Sequence, residues 1–310
     1  MQILTQILLL IIGFAMLVKG ADWFVEGVSG IAEKFGIPQL VIGLTIVAMG
    51  TSAPEAAVSI TAALRGNAGI TIGNIVGSNI LNILIILGIT AVITNVTVRR
   101  STLKFEIPYM IFITLFLLAI GLKKGSIGFI EGLSLWVLFL AYLLYMLLIA
   151  KKDKKDMIEN QQQSKSWKLL FSTVIGGFLI IWGSDITVDS ATRIALAFGL
   201  SERFIGLTIV ALGTSLPELF TSVTAAMKGK ADIAIGNIVG SNIFNILFVI
   251  GTTALITPVI FESKFLIDTM IAVAAGILLW ISAVKTKDLR RPWGIVMLLS
   301  YAGYFLYLIS

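Results

Sequence analysis

Residues 43–55 read GLTIVAMGTSAPE and residues 206–218 read GLTIVALGTSLPE, identical at 11 of 13 positions. Residues 73–82 read GNIVGSNILN and residues 236–245 read GNIVGSNIFN, identical at 9 of 10. Both pairs lie 163 residues apart. Two motifs with one constant offset mark a duplicated unit. Weaker echoes share the offset: Asp22 with Asp185, Glu26 with Asp189, and Phe35-Gly36 with Phe198-Gly199. The expected organisation is a first repeat over 1–147, a linker over 148–163 and a second repeat over 164–310.

The motifs are polar and glycine-rich, yet they sit inside apolar runs. Of 310 residues, 57% are hydrophobic and only 13% charged, and the mean hydropathy is +1.00. A soluble fold cannot hide that much apolar surface. The composition excludes an ordinary soluble enzyme, a disordered chain and a nucleic-acid binder. At about 20 apolar residues per crossing, ten helical spans are expected, near 3–35, 37–64, 70–94, 105–122, 127–150, 167–198, 200–227, 232–257, 264–284 and 292–309. No basic stretch precedes Ile3, so the first run is expected to be a span and not a cleavable signal.

The 23 basic residues sort onto alternate connections, 17 on one side and 6 on the other. By the positive-inside rule this places both termini outside the cytoplasmic membrane. The polar run 151–168, KKDKKDMIENQQQSKSWK, reads as a cytoplasmic connector. Five spans per half is an odd number, so the second half would enter the bilayer inverted. That is the plan of many secondary transporters, with the matching motifs meeting near the midplane. The expected fold is therefore an all-α polytopic membrane protein of two inverted five-helix repeats with broken helices.

Between Phe35 and Leu64 the only charge is Glu55, and between Phe204 and Met227 the only charge is Glu218. A carboxylate at bilayer depth costs a few kcal/mol or more (~3) unless paired or solvated. No Lys or Arg lies nearby in sequence, so a bound cation or a proton must supply the compensation. In Gly50-Thr51-Ser52-Ala53-Pro54-Glu55 the glycine and proline interrupt the helix, and carbonyls such as those of Ala48 and Thr51 end a half-helix at its negative pole. Gly213-Thr214-Ser215-Leu216-Pro217-Glu218 repeats this. Ser52 with Glu55 also fits a helix capping box. The second motif is expected to break the next span. Ser78 and Asn82 share a helix face, for a ligand or for interhelical bonding. Asn74 and Asn79 are expected to stabilise the break, and Gly73 and Gly77 to permit close packing.

With no cysteine and no histidine, the pooled donors are all hard oxygens. They suit calcium or sodium and not zinc, copper or iron. Two carboxylates neutralise one calcium ion, or hold two or three monovalent ions with help from hydroxyls and amides.

GTSAPE with GNIVGSN, repeated as GTSLPE with GNIVGSN, resembles the alpha repeats of the calcium/cation antiporter superfamily, and most nearly its prokaryotic sodium/calcium exchangers. The resemblance covers the whole chain. It implies sodium-for-calcium antiport by alternating access, with the two ions and the lipid bilayer as partners, no cofactor, no catalytic residues and no obligate protein partner. It implies that Glu55 and Glu218 bind calcium with the carbonyls of Thr51 and Thr214. Ser52, Ser78, the Ala48 carbonyl and Glu55 would form one flanking sodium site. Ser215, Ser241, the Ala211 carbonyl and Glu218 would form the other, with Asn82 and Asn245 at the centre. It also implies that spans 1 and 6 slide as a gating pair. Some members carry aspartate at the position of Asn245. Asparagine there weakens the case for potassium co-transport and leaves no third acid to take a proton. A calcium/proton antiporter is the main alternative, because two buried glutamates would also carry protons. An intramembrane carboxylate protease needs asymmetric roles that the duplication argues against, and a channel would need no counter-ion.

Overall fold

The computed structural model describes residues 2–64, 69–153, 166–199 and 211–309. Helices dominate them, as apolar runs in hydrocarbon require, because only internal bonding satisfies the backbone there. Helix α1 (Gln2–Phe35) ends where Gly36 takes φ 62° and the Ile37 N–H donates to Ala32 O at 2.8 Å. This is a left-handed helix stop that glycine permits without strain. After α10 (Ser166–Ala197), Gly199 takes φ 80°. The repeated Phe-Gly pairs are thus duplicated helix terminators.

The second span is built from four pieces. These are α2 (Gln39–Ile42), a π-helical turn (Gly43–Val47), α3 (Ala48–Thr51) and α4 (Ala53–Leu64), with a 50° bend at the junction. Ser52 occupies the bend with φ −83° and ψ 7°. In the second half, α11 (Ala211–Thr214) and α12 (Leu216–Met227) meet at Ser215, with φ −92° and ψ 4°. Each break is followed by a proline in the first helical turn, where its missing N–H costs nothing.

The next spans do not break at the second motif, contrary to expectation. Helices α5 (Gly69–Leu81) and α13 (Ala231–Phe244) run through it and widen into π-helical turns at Asn82–Leu87 and Asn245–Ile250. They continue as α6 (Gly88–Ile93) and α14 (Gly251–Ile256). A π-turn lets the helix continue while loosening one turn of its ladder. Thr90 Oγ1 donates to Ile86 O at 2.6 Å, and Thr253 Oγ1 donates to Val249 O at 2.8 Å, in the same turn of each half.

Around these lie α7 (Arg100–Lys104), α8 (Glu106–Lys124), α9 (Phe129–Asp153), α15 (Lys264–Val284) and α16 (Arg291–Ile309). Helix α9 runs into the expected linker, and 154–163 lie outside the described residues, as do 206–210 of the first motif's second copy. Strand β1 (Val96–Thr97) pairs antiparallel with β4 (Asp288–Leu289), and β2 (Ser126–Ile127) with β3 (Val259–Ile260). Each strand pair joins one half to the other.

Among the described residues, seven helices are long and apolar enough to cross a membrane, or eight with the bent pair. In the most apolar 18-residue stretch of Ala231–Ile256, 94% of the residues are buried, and in that of Thr71–Ile93 78%, against 39% or less in the other long helices. The two spans that carry the GNIVGSN motif are therefore the central ones, and the other long helices surround them. Ion pairs tie the turn at 228–232 to its surroundings: Lys228 to Asp22 at 2.6 Å, Lys230 to Glu33 at 2.9 Å and Asp232 to Arg99 at 2.6 Å.

Helices α1 and α10 pack along each other at backbone distance. A Cβ built on Gly20 would lie 2.9 Å from Gly176 O and Ile180 N, and one on Gly13 3.0 Å from Gly183 O. Replacing Gly20 with alanine should therefore lower the thermal midpoint of the detergent-solubilised protein, at a cost of about 1–3 kcal/mol from overpacking. Gly303, with no described atom within 4 Å of its Cβ position, should accept alanine with a gain of up to ~1 kcal/mol from reduced backbone freedom. Equal midpoints for the two variants would contradict this packing.

Candidate functional site

The two breaks and the two π-turns converge on a dry polar cluster. Glu55, Glu218, Ser52, Ser241, Asn82 and Asn245 are fully buried, and Thr51, Ser78 and Ser215 nearly so. Among the described residues, no lysine or arginine bonds either glutamate.

The hydroxyls cross between the halves. Ser52 Oγ donates to Glu218 Oε1 at 2.8 Å and shares a short hydrogen bond with Ser241 Oγ, which lies 3.3 Å from the same carboxylate oxygen. Ser215 Oγ lies 3.5 Å from Glu55 Oε1, Ser78 Oγ 3.4 Å from it, and the two hydroxyls 3.4 Å apart. The cluster around Glu218 is thus compact and that around Glu55 looser. Neither bend serine caps its helix as the capping box predicts. Ser52 donates to Glu218, and Ser215 makes no side-chain cap bond.

Asparagines hold this geometry. Asn79 Nδ2 donates to Asn242 O and Asn242 Nδ2 to Asn79 O, both at 3.2 Å, a reciprocal pair 163 residues apart. Asn82 Nδ2 donates to Asn242 Oδ1 at 3.0 Å, and Asn245 Nδ2 to Asn79 Oδ1 at 3.2 Å. Asn74 Nδ2 reaches Ser59 Oγ at 2.9 Å and Glu55 O at 3.3 Å. Asn237 Nδ2 reaches Ser222 Oγ at 2.9 Å and Glu218 O at 3.4 Å. Thr51 Oγ1 donates to Asn237 Oδ1 at 2.9 Å. Asn74 and its counterpart Asn237 therefore brace the glutamate-bearing helices and do not stabilise a break in their own, contrary to expectation. Asn79 and Asn242 instead join the halves. Asn237 and Asn242 belong with the expected residues, and the signal for them is their place in the second copy of GNIVGSN.

After these bonds, four oxygens have no partner: Glu55 Oε2, Glu218 Oε2, Asn82 Oδ1 and Asn245 Oδ1. They form two symmetry-matched pairs. Buried oxygens are rarely left unbonded in native proteins. Both amides have turned their N–H groups into the protein, which leaves hard oxygen acceptors, the donor type that sodium and calcium take.

The backbone donors are less symmetric. The Ala48 carbonyl is buried and accepts the Ser52 N–H at 3.0 Å. The Ser215 N–H reaches Leu212 O at 3.2 Å. Thr214 is half-buried and, with Gly213 and Pro54, lines a cavity of about 340 Å³ whose other wall is Ser184, Asp185, Asp189 and Thr192 of α10. On the other break, Gly50 and Thr51 line an apolar cavity of about 240 Å³ with Phe24, Phe178 and Ile181. Gly73 has the Phe265 ring 3.2 Å from its Cβ position, and Gly240 has Leu44 O at 2.5 Å.

Asn237→Ala should lower thermal stability by about 1–3 kcal/mol, the cost of stranding buried partners. The loss should appear in ion-free buffer, where ligand binding contributes nothing. An unchanged midpoint there would remove Asn237 from the scaffold.

A family model described as sodium/calcium exchanger protein matches residues 5–148 and 168–310. The sodium/calcium exchanger MaX1 of Methanosarcina acetivorans is 31% identical over 347 residues, covering 99% of each chain. The inner membrane protein YrbG of Escherichia coli is 35% identical over 286 residues, covering 88% of each. Among solved structures, the sodium-calcium exchanger NCX_Mj soaked with zero Na+ and Ca2+ aligns with a TM-score of 0.86 at 32% identity, covering 99% of each chain.

Proposed function

The chain belongs to the sodium/calcium exchanger protein family, a family of membrane transporters and not of enzymes, and from that premise we propose that it exchanges sodium for calcium at the cluster around Glu55 and Glu218. The observation that carries this reading is the set of four unpartnered buried oxygens, two carboxylate and two amide. Calcium takes six to eight oxygen ligands at about 2.3–2.6 Å. The two carboxylates neutralise it, and the carbonyls of Thr51 and Thr214 complete its shell. Sodium replaces it at two flanking positions, one with Ser78, Ser215 and the Ala48 carbonyl beside Glu55, the other with Ser52, Ser241 and the Ala211 carbonyl beside Glu218; the two bend serines exchange places relative to the sequence expectation because their hydroxyls cross between the halves. Asn82 and Asn245 present their free Oδ1 atoms to the middle of the cluster.

Ten spans in two inverted five-helix halves, divided near 147 and 164, supply the framework. The 163-residue spacing of the π-turns and the reciprocal Asn79–Asn242 bonds support this arrangement. The protein lies in the cytoplasmic membrane with both termini outside. The unequal cavities support alternating access. The cavity that reaches Thr214 has Ser184, Asp185, Asp189 and Thr192 in its wall, and the one at Gly50 and Thr51 is lined mainly by apolar side chains. Helices α1 and α10, in close backbone contact, move together and exchange which break is reachable from water.

In vesicles, an opposing sodium gradient should drive calcium-45 uptake, and Glu55→Gln or Glu218→Gln should reduce it to background, since one carboxylate cannot balance a divalent ion. Near-normal uptake in either variant would refute the site. Uptake indifferent to sodium and driven by a pH gradient would replace sodium with protons as the coupled ion. Asn245→Asp should change the cation or proton dependence of uptake more than it changes folding. An unaltered ion profile in that variant would remove Asn245 from the centre.

A further inference from the structure

A cavity of about 650 Å³ opens between α7, the start of α8 and the end of α15, away from the exchange cluster. Three cations line it: Arg100, Lys104 and Lys287. Among the described residues, no carboxylate does. Arg100 and Lys104 stand four residues apart on α7, so they share one face of that short helix. All three residues are exposed, and among the described residues none of their side chains has a hydrogen-bond or ion-pair partner. Their basic neighbours are engaged. Arg99 pairs with Asp232 at 2.6 Å, Arg290 lies 3.7 Å from Asp288, and Arg291 donates to Val92 O at 2.9 Å.

The rest of the wall is apolar. Leu103 and Pro108 come from α7 and α8, and Trp280 and Val284 from α15. The Trp280 Nε1–H donates to Leu103 O at 2.9 Å and joins α15 to α7. Helix α8 begins at Glu106 and α15 ends at Val284. The cations therefore lie where these two spans leave the hydrocarbon, with Pro108 and Trp280 about one turn deeper. Tryptophan is enriched at that boundary. The backbone at Lys287 adds a second sign. Its φ is 57°, a left-handed conformation that is strained for a residue with a Cβ. The other described residues with positive φ are glycines: Gly36, Gly125, Gly199 and Gly229. The Lys287 N–H donates to Ala283 O at 2.8 Å and its carbonyl accepts the Val98 N–H at 2.7 Å, which fixes the turn. A strained position that carries an exposed charge in place of glycine points to a use for that charge.

We propose that Arg100, Lys104 and Lys287 bind the phosphodiester of an anionic phospholipid, whose first acyl carbons lie against Leu103, Trp280 and Val284. Arginine matches phosphate oxygens with paired N–H groups, and the lysines add point charge. Basic pockets between spans are suited to anionic headgroups. A zwitterionic lipid would bring its own ammonium among three cations and is disfavoured. The site is separate from the ion cluster and does not depend on which ions that cluster carries.

Native mass spectrometry of the detergent-solubilised full chain, titrated with phosphatidylglycerol or phosphatidylcholine, tests this. The expected result is preferential binding of phosphatidylglycerol, weakened about tenfold by Arg100→Gln combined with Lys104→Gln, with phosphatidylcholine binding unchanged. Lys287→Asn removes the charge and keeps a residue that tolerates positive φ. It should weaken phosphatidylglycerol binding at an unchanged thermal midpoint. Lys151→Gln combined with Lys168→Gln removes two exposed cations outside the cavity and should leave binding as it was. Equal binding of the two lipids by the unmodified protein, no loss in either cavity variant, or an equal loss in the two double variants would overturn the proposal. Glycerophosphoglycerol, the same phosphodiester without acyl chains, binding as tightly as the lipid would overturn the assignment to a lipid.

Discussion

Two carboxylates share a volume that water does not reach and that holds no basic side chain among the described residues. Each ionised group has to be compensated there or remain protonated, because an unpaired charge in such surroundings is severely unfavourable. The serines, asparagines and interrupted helices of the centre are arranged around this constraint. Hydroxyls from one half reach the carboxylate of the other. The asparagine amides donate into the scaffold and leave their oxygens facing inward. The usual order of a soluble protein is reversed. The best-buried helices carry the buried serines and asparagines, and helices with exposed apolar side chains form the shell.

Much of this was legible in the sequence because the informative residues are unusual for their setting. Glu55 and Glu218 stand out as lone charges in long apolar runs, and the duplicated stretches GNIVGSNILN and GNIVGSNIFN end on Asn82 and Asn245. The Phe-Gly echoes were weak as sequence signals and became physical only as helix stops with positive φ at Gly36 and Gly199. The helix break expected in the second motif did not occur. Its glycines and asparagines look like breakers in isolation, but in α13 Gly236 and Gly240 let the helix approach Leu44, and the asparagines bond across the interface. Packing partners 160 residues away decided the outcome, and no local pattern encodes them.

The crossing of serine hydroxyls between halves was equally hidden. Spacing places Ser52 three residues from Glu55, which suggests a local cap. The chain at Ser52 instead adopts ψ near 0° and aims its hydroxyl at the opposite half. Glu106 lies at the end of its span, close to Lys104, where local sequence does not separate a buried charge from an exposed one. Only its burial against the α9 tyrosines sets it apart.

The short strands have a bearing on how the molecule is made. Thr97 in β1 bonds Asp288 in β4, 191 residues later in the chain, and β2 likewise waits for β3. The first half is therefore inserted with its strand edges unpaired and its glutamate lacking the serine that reaches it from the second. Neither half closes its own edges, so the strand pairs and crossing serines from Ser215 to Leu289 are what make the two halves one object.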